Sequence, residues 1–166
     1  MRKRLSRNLL LIASLLGAPA LTHPEQHVTG QLSYSQDQRF VRLKAFLKKR
    51  RSPLAGLSAD FLAAADRHDL DWRLLPAIAV VESGAGQRYT HNNVFGWGSG
   101  TVRFHSLRAG IHHVASRLGN SRLYRDKNLD GVLRTYNPYA SYPGRVKKVM
   151  RTLGPSAEIP PAAGTP

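Results

Sequence analysis

Glu82 ends an unbroken apolar run, Ala77, Ile78, Ala79, Val80 and Val81, and is followed by Ser83, Gly84, Ala85 and Gly86. The chain has three glutamates, and the other two, Glu25 and Glu158, fall in stretches whose composition resembles linkers. Glu82 lies one helical turn past Ile78 and two past Leu74, so it shares a face with residues that belong in a core. A lone carboxylate on such a face is costly unless it is paired or protonated. Desolvation and the negative end of the helix dipole both favour the protonated acid. A carboxylic acid that holds its proton is suited to general acid catalysis. The alternative is an exposed last-turn residue, or one paired with Arg73 or Arg88.

Other reactive types give weaker signals. The chain has no cysteine, which removes disulfides, thiolate nucleophiles and Cys-based zinc sites. Seven histidines raise a metal reading, but there is no HExxH, and the adjacent His112 and His113 point to different sides of a helix. His91 and His105 fall in a loop region. Surface or hydrogen-bonding roles suit the histidines better, and neither metal nor cofactor is expected. Ser83 and Ser99 lack a GxSxG context.

The elements that must position Glu82 follow from periodicity. Ser35 is read as the cap of a first helix carrying Phe40, Leu43, Phe46 and Leu47, which ends in Lys48–Pro53. Ser58 is read as the cap of a second, with Phe61, Leu62 and Ala65. A third runs from about Asp71 to Glu82, where Pro76 is tolerable if it falls in the first turn, with Gly84 or Gly86 as its stop. Its nearly all-round apolar surface predicts burial. Residues 87–104 are rich in Gly, Asn and aromatics, and read as a loop or small hairpin. Ser106 caps a fourth helix with Leu107, Ile111, Val114, Ala115 and Leu118, closed by Gly119. Asp130 is read as the cap of a fifth with Val132, Leu133 and Tyr136. Val146, Val149, Met150 and Leu153 define a sixth, closed by Gly154 and Pro155.

The remaining segments bear on location. Residues 1–20 combine a basic start, a short apolar run and the small residues Ala18, Pro19 and Ala20, the pattern of a secretory signal peptide. Residues 21–34 read as a linker, 35–154 as the domain, and the Pro/Ala-rich 155–166 as a disordered tail. The formal charge is +15, and residues 1–20 hold four bases and no acid, so the exported chain carries +11. Outside the cytoplasm such a charge points to cell wall, headgroups or acidic polymers rather than nucleic acid. The run Lys48–Arg51 reads first as a solvated helix end.

Taken in order, LDWRLLPAIAVVESGAG, NNVFGWG and TYNPYASYPGRVKKVM resemble the lysozyme-like glucosaminidases, the bacterial endo-β-N-acetylglucosaminidases of autolysin type. Lytic transglycosylases and lysozymes are more distant relatives. The likeness spans roughly residues 38–153. It implies a mostly α, α+β, lysozyme-like fold of about six helices, with a small irregular β-lobe between the third and fourth. It also implies that Glu82 protonates the glycosidic oxygen, and that Tyr136 faces it across the cleft and orients the N-acetyl sugar or the carboxyl. Asn93, Phe95 and Trp97 would line one side of the cleft, with Ser83 and Asn137 as further substrate contacts. Aromatic planes cover the CH faces of sugars and amides bond their hydroxyls.

The chain departs from that family in its acids. A two-carboxylate glycosidase needs a second acid across the bond. No Asp or Glu occurs in the 43 residues from Ser83 to Arg125. Asp126 and Asp130 come next, but each reads better as a helix-start residue. Some relatives carry Asp where this chain has Tyr142. The expectation is therefore a secreted or periplasmic, wall-associated monomer acting on peptidoglycan glycan strands. Hydrolysis, a single-carboxylate transglycosylase route and glycan binding without cleavage remain open. Neither nucleic acid nor a membrane, beyond the signal peptide, is an expected partner.

Overall fold

A computed structural model describes residues 34–156. The expected signal peptide, residues 21–33 of the linker and the tail from residue 157 lie outside the described residues. Six helices follow in order: α1 (Gln38–Lys49), α2 (Ser58–Arg67), α3 (Leu74–Ser83), α4 (Leu107–Asn120), α5 (Leu129–Tyr136) and α6 (Tyr142–Leu153). A 3-10 turn, Pro53–Leu57, joins α1 to α2. The described part is all-α. The expected β-lobe is corrected here, because residues between α3 and α4 form turns and no strand. Positive φ at His91, Asn92, Gly96, Gly98, Ser99 and Gly100 breaks every extended run. Backbone groups there are bonded within turns and by the Asn92 and Asn93 side chains, with no ladder.

Helix α3 is the axis of the fold. Leu74, Leu75, Pro76, Ala77, Ile78 and Ala79 are all buried, and α3 packs against α2, α4 and, most extensively, α6. Pro76 sits in the first turn, where no intrahelical N–H is lost. Gly84 ends the helix in the left-handed region (φ 65°), and its N–H bonds the Val80 carbonyl. Helix α2 packs on α4. That approach is close, since a Cβ on Gly119 would lie 2.7 Å from the His68 carbonyl oxygen.

Three caps differ from expectation. Asp37, not Ser35, caps α1 by accepting from the Arg39 N–H at 2.8 Å. A carboxylate is the stronger acceptor, and Arg39 also pairs with it. Ser58 opens α2 but makes no cap; its hydroxyl donates to the Ala55 carbonyl. Asn128, not Asp130, caps α5 by accepting from Gly131 N–H at 2.9 Å. Asp130 lies in the first turn and pairs with Lys147 of α6 at 2.7 Å. Ser106 caps α4 as expected. Both edges of the helical body are tied down. Tyr34 donates to Asp66 at 2.8 Å, and Trp72 Nε1 donates to the Pro155 carbonyl at 3.2 Å.

Candidate active site

The last turn of α3 holds Glu82 at a partly exposed position. The turn beyond it is rigid. Ser83 Oγ donates to the Ala79 carbonyl at 2.8 Å and accepts from Gly86 N–H at 2.9 Å. Ser52 Oγ donates to the Ala85 carbonyl at 2.6 Å. Ser83 is therefore buried and engaged in the turn, and serves the site by fixing where α3 ends.

The glutamate opens on a cleft of about 400 Å³, lined by Glu82, Gly96, Ser99, Tyr136, Asn137 and Tyr139 among others. A neighbouring hollow of about 250 Å³ shares Gly96, Ser99 and Tyr136 and adds Trp97, Gly98 and Tyr124. Among the described residues, Glu82 is the one carboxylate lining either hollow. Asp126 and Asp130 line neither. Arg73 bonds Asp71 and the Gly154 carbonyl, so it is not the partner of Glu82. No ion pair to Arg88 or any other base forms on Glu82 among the described residues. A larger hollow of about 560 Å³, between α1 and α6, lies away from Glu82.

Gly96 and two tyrosines surround the carboxyl. A Cβ on Gly96 would stand 2.8 Å from Glu82 Oε2, and its φ is +62°. Only glycine combines that backbone with that space. Tyr136 donates its hydroxyl to the Phe95 carbonyl at 2.6 Å. Its ring stacks on Tyr142 at 6.0 Å and 6° and meets Trp97 at 5.6 Å. Burial first, then the Glu82 charge, pushes the Tyr136 phenol well up. Burial and the Glu82 charge, in that order, also push Tyr142 up, with a lesser part from its approach to the carboxyl. That approach falls short of full hydrogen-bond geometry, and the Tyr142 hydroxyl, buried, bonds no partner. Both tyrosines remain neutral donors beside the acid.

The other expected site residues divide in two. Trp97, partly exposed, lines the smaller hollow, and Asn137 lines the larger with its Oδ1 accepting from Tyr139 N–H at 3.1 Å. Asn93 and Phe95 do not present side chains to the cleft. Asn93 is buried; its amide donates to the Trp97 and Val102 carbonyls at 2.9 and 3.1 Å and accepts from Trp97 N–H at 2.9 Å. It holds the loop in shape. Phe95 is fully buried, edge-on to Phe61, and contributes its carbonyl to Tyr136. Gly96, Tyr124 and Tyr139 were not among the expected contacts. The φ-positive Gly96 between Phe95 and Trp97 is the one with a readable signal in sequence, a glycine flanked by aromatics in a turn-rich run.

The arrangement offers one carboxyl at a helix end, aromatic rings beside it, and an adjoining cleft of about 400 Å³. Among the described residues no three His, Asp or Glu gather as a metal site would require. No helix there is long and apolar enough to cross a membrane. No protein-family model, curated protein or solved structure matches this chain.

Proposed function

We propose that this protein is an exported, lysozyme-like glycoside hydrolase that cleaves the β-1,4-linked N-acetylhexosamine backbone of peptidoglycan, as an endo-β-N-acetylglucosaminidase, with Glu82 as general acid. The observation that carries the reading is Glu82 itself, an unpaired carboxyl at the end of a buried helix and the one acid in an aromatic-lined cleft. The basic charge of the chain supports a wall-associated substrate.

One carboxylate sets the mechanism. Glu82 gives its proton to the glycosidic oxygen as the bond to C1 breaks. With no second acid across the bond, the substrate's own acetamido oxygen closes on C1. Glu82, now the base, takes a proton from water as that water opens the ring. The acid is thereby restored and a reducing end is left. Trp97 and the tyrosines supply planes for the sugar's CH faces.

A second reading draws on the same absence of an opposing carboxylate. If the sugar's 6-hydroxyl replaces water, Glu82 takes its proton and a 1,6-anhydro end results, as in lytic transglycosylases. Purified peptidoglycan treated with the protein and with Glu82→Gln, read by mass spectrometry, separates these. Reducing ends produced by wild type alone support hydrolysis and identify the bond; anhydro ends support transglycosylation. No products from either protein, with both pelleting with the wall, would sink catalysis and leave a glycan-binding module.

A further inference from the structure

We infer that Tyr142 is a positioning residue for Glu82: its buried hydroxyl turns to bond the carboxylate when Glu82 has given up its proton. This inference rests on the proposed general-acid role. It starts from geometry. Tyr142 opens α6, the helix packed most extensively on α3. It is 2 % exposed and stacked flat on Tyr136. Its hydroxyl is buried and approaches the Glu82 carboxyl without completing a hydrogen bond there or elsewhere. An unsatisfied buried hydroxyl is destabilising, and Phe would fill the same ring space without that cost. The cost is offset if a bond forms in another state of the site.

Glu82 supplies that state. After burial, its charge and its hydrogen-bonding approach act most strongly on the Tyr142 hydroxyl, ahead of Tyr136 and the cation Arg145. The Tyr136 hydroxyl is already given to the Phe95 carbonyl, so it cannot serve the carboxylate without breaking that bond. Tyr142 is the hydroxyl left over. A phenol rotates its proton freely. Turned toward the carboxyl, it donates to Glu82 once the acid is ionised. Bonds to an ionised acceptor are roughly twice as strong as neutral ones. Tyr142 therefore favours the ionised form that appears as the glycosidic oxygen takes its proton. No proton leaves Tyr142, and no bond to substrate forms.

Two measurements test this. The first compares Tyr142→Phe with wild type on peptidoglycan fragments. A fall in kcat of roughly 10–100-fold at unchanged KM is expected, together with an alkaline limb of the pH profile moved to higher pH. Unchanged kcat and an unchanged profile, in a variant whose wild type is active, overturn the inference while leaving Glu82 as the acid. Inactive wild type with inactive Glu82→Gln overturns the general-acid reading, and this one with it. The second needs no folded Phe variant. The 13Cζ resonance of Tyr142 is followed by NMR across pH in wild type and in Glu82→Gln. A step in wild type that is absent in the variant is expected. Identical traces in the two proteins overturn the inference.

Discussion

The Glu82 carboxyl rests against the bare backbone of Gly96, with the site of a missing Cβ 2.8 Å from Oε2. The acid comes from a helix and the glycine from a turn. Their contact is where the aromatic loop meets the helical body. Whatever the cleft binds is therefore bounded on one side by a surface that tolerates no side chain.

Gly96→Ala should displace the carboxyl and strain a residue held at φ +62°. A loss of at least roughly 100-fold in kcat/KM is expected, since misplacement by about 1 Å costs that much, with a destabilisation of about 1 kcal/mol or more from the left-handed backbone. Steady-state kinetics beside chemical denaturation check it. Full activity would mean that Glu82 does not work from this position.

Asn93→Ala should act through stability. Three loop hydrogen bonds are lost together, and the Trp97 N–H is among the groups left unpaired. About 2–4 kcal/mol is expected from urea denaturation. Glycan affinity should fall only as far as the loop loosens. A stable protein with abolished binding would restore Asn93 as a direct sugar contact.

Trp97→Ala tests the aromatic wall. Trp97 meets Tyr136 at 5.6 Å and Tyr124 at 6.5 Å and lines the smaller hollow. Removing the ring should raise KM for glycan roughly 3–10-fold, with kcat changed less. An unaltered KM would place the sugar elsewhere along the cleft.

Acid should destabilise the fold below about pH 4. Burial pushes the Asp60 carboxyl up, but His112 and Arg108 beside it more than reverse this and leave it below its ordinary value. The Arg108 bond is 2.6 Å. Asp37 is lowered likewise, its burial outweighed by bonds from Arg39. A carboxyl lowered in the folded state contributes stability above its unfolded value, and that stability is lost as pH falls through the folded value. Denaturation midpoints should be flat from pH 7 to 5 and drop below about 4. Asp60→Asn should flatten part of that drop. An unaltered slope in this variant would assign the acid sensitivity to other groups.

Sequence alone determined the helical skeleton and the prominence of Glu82. The all-round apolar run around Ile78 fits a buried helix, Gly84 can end it at little cost, and a glutamate at that end stands out in a chain with so few. Periodicity and capping are local properties, so they are legible locally. The fold's larger decisions are not. Whether Glu82 is paired depended on Arg73 turning to its near neighbour Asp71 and to the Gly154 carbonyl, which packing brings close. The family resemblance puts Asn93 and Phe95 at the cleft, yet tertiary contacts spend both on the loop's own support. That Gly96 and Tyr142 adjoin Glu82 is not legible along the chain. They matter because α3, α6 and the aromatic loop converge on one carboxyl, and a hydrogen-bonding neighbour or a missing Cβ is defined only by what lies across the space.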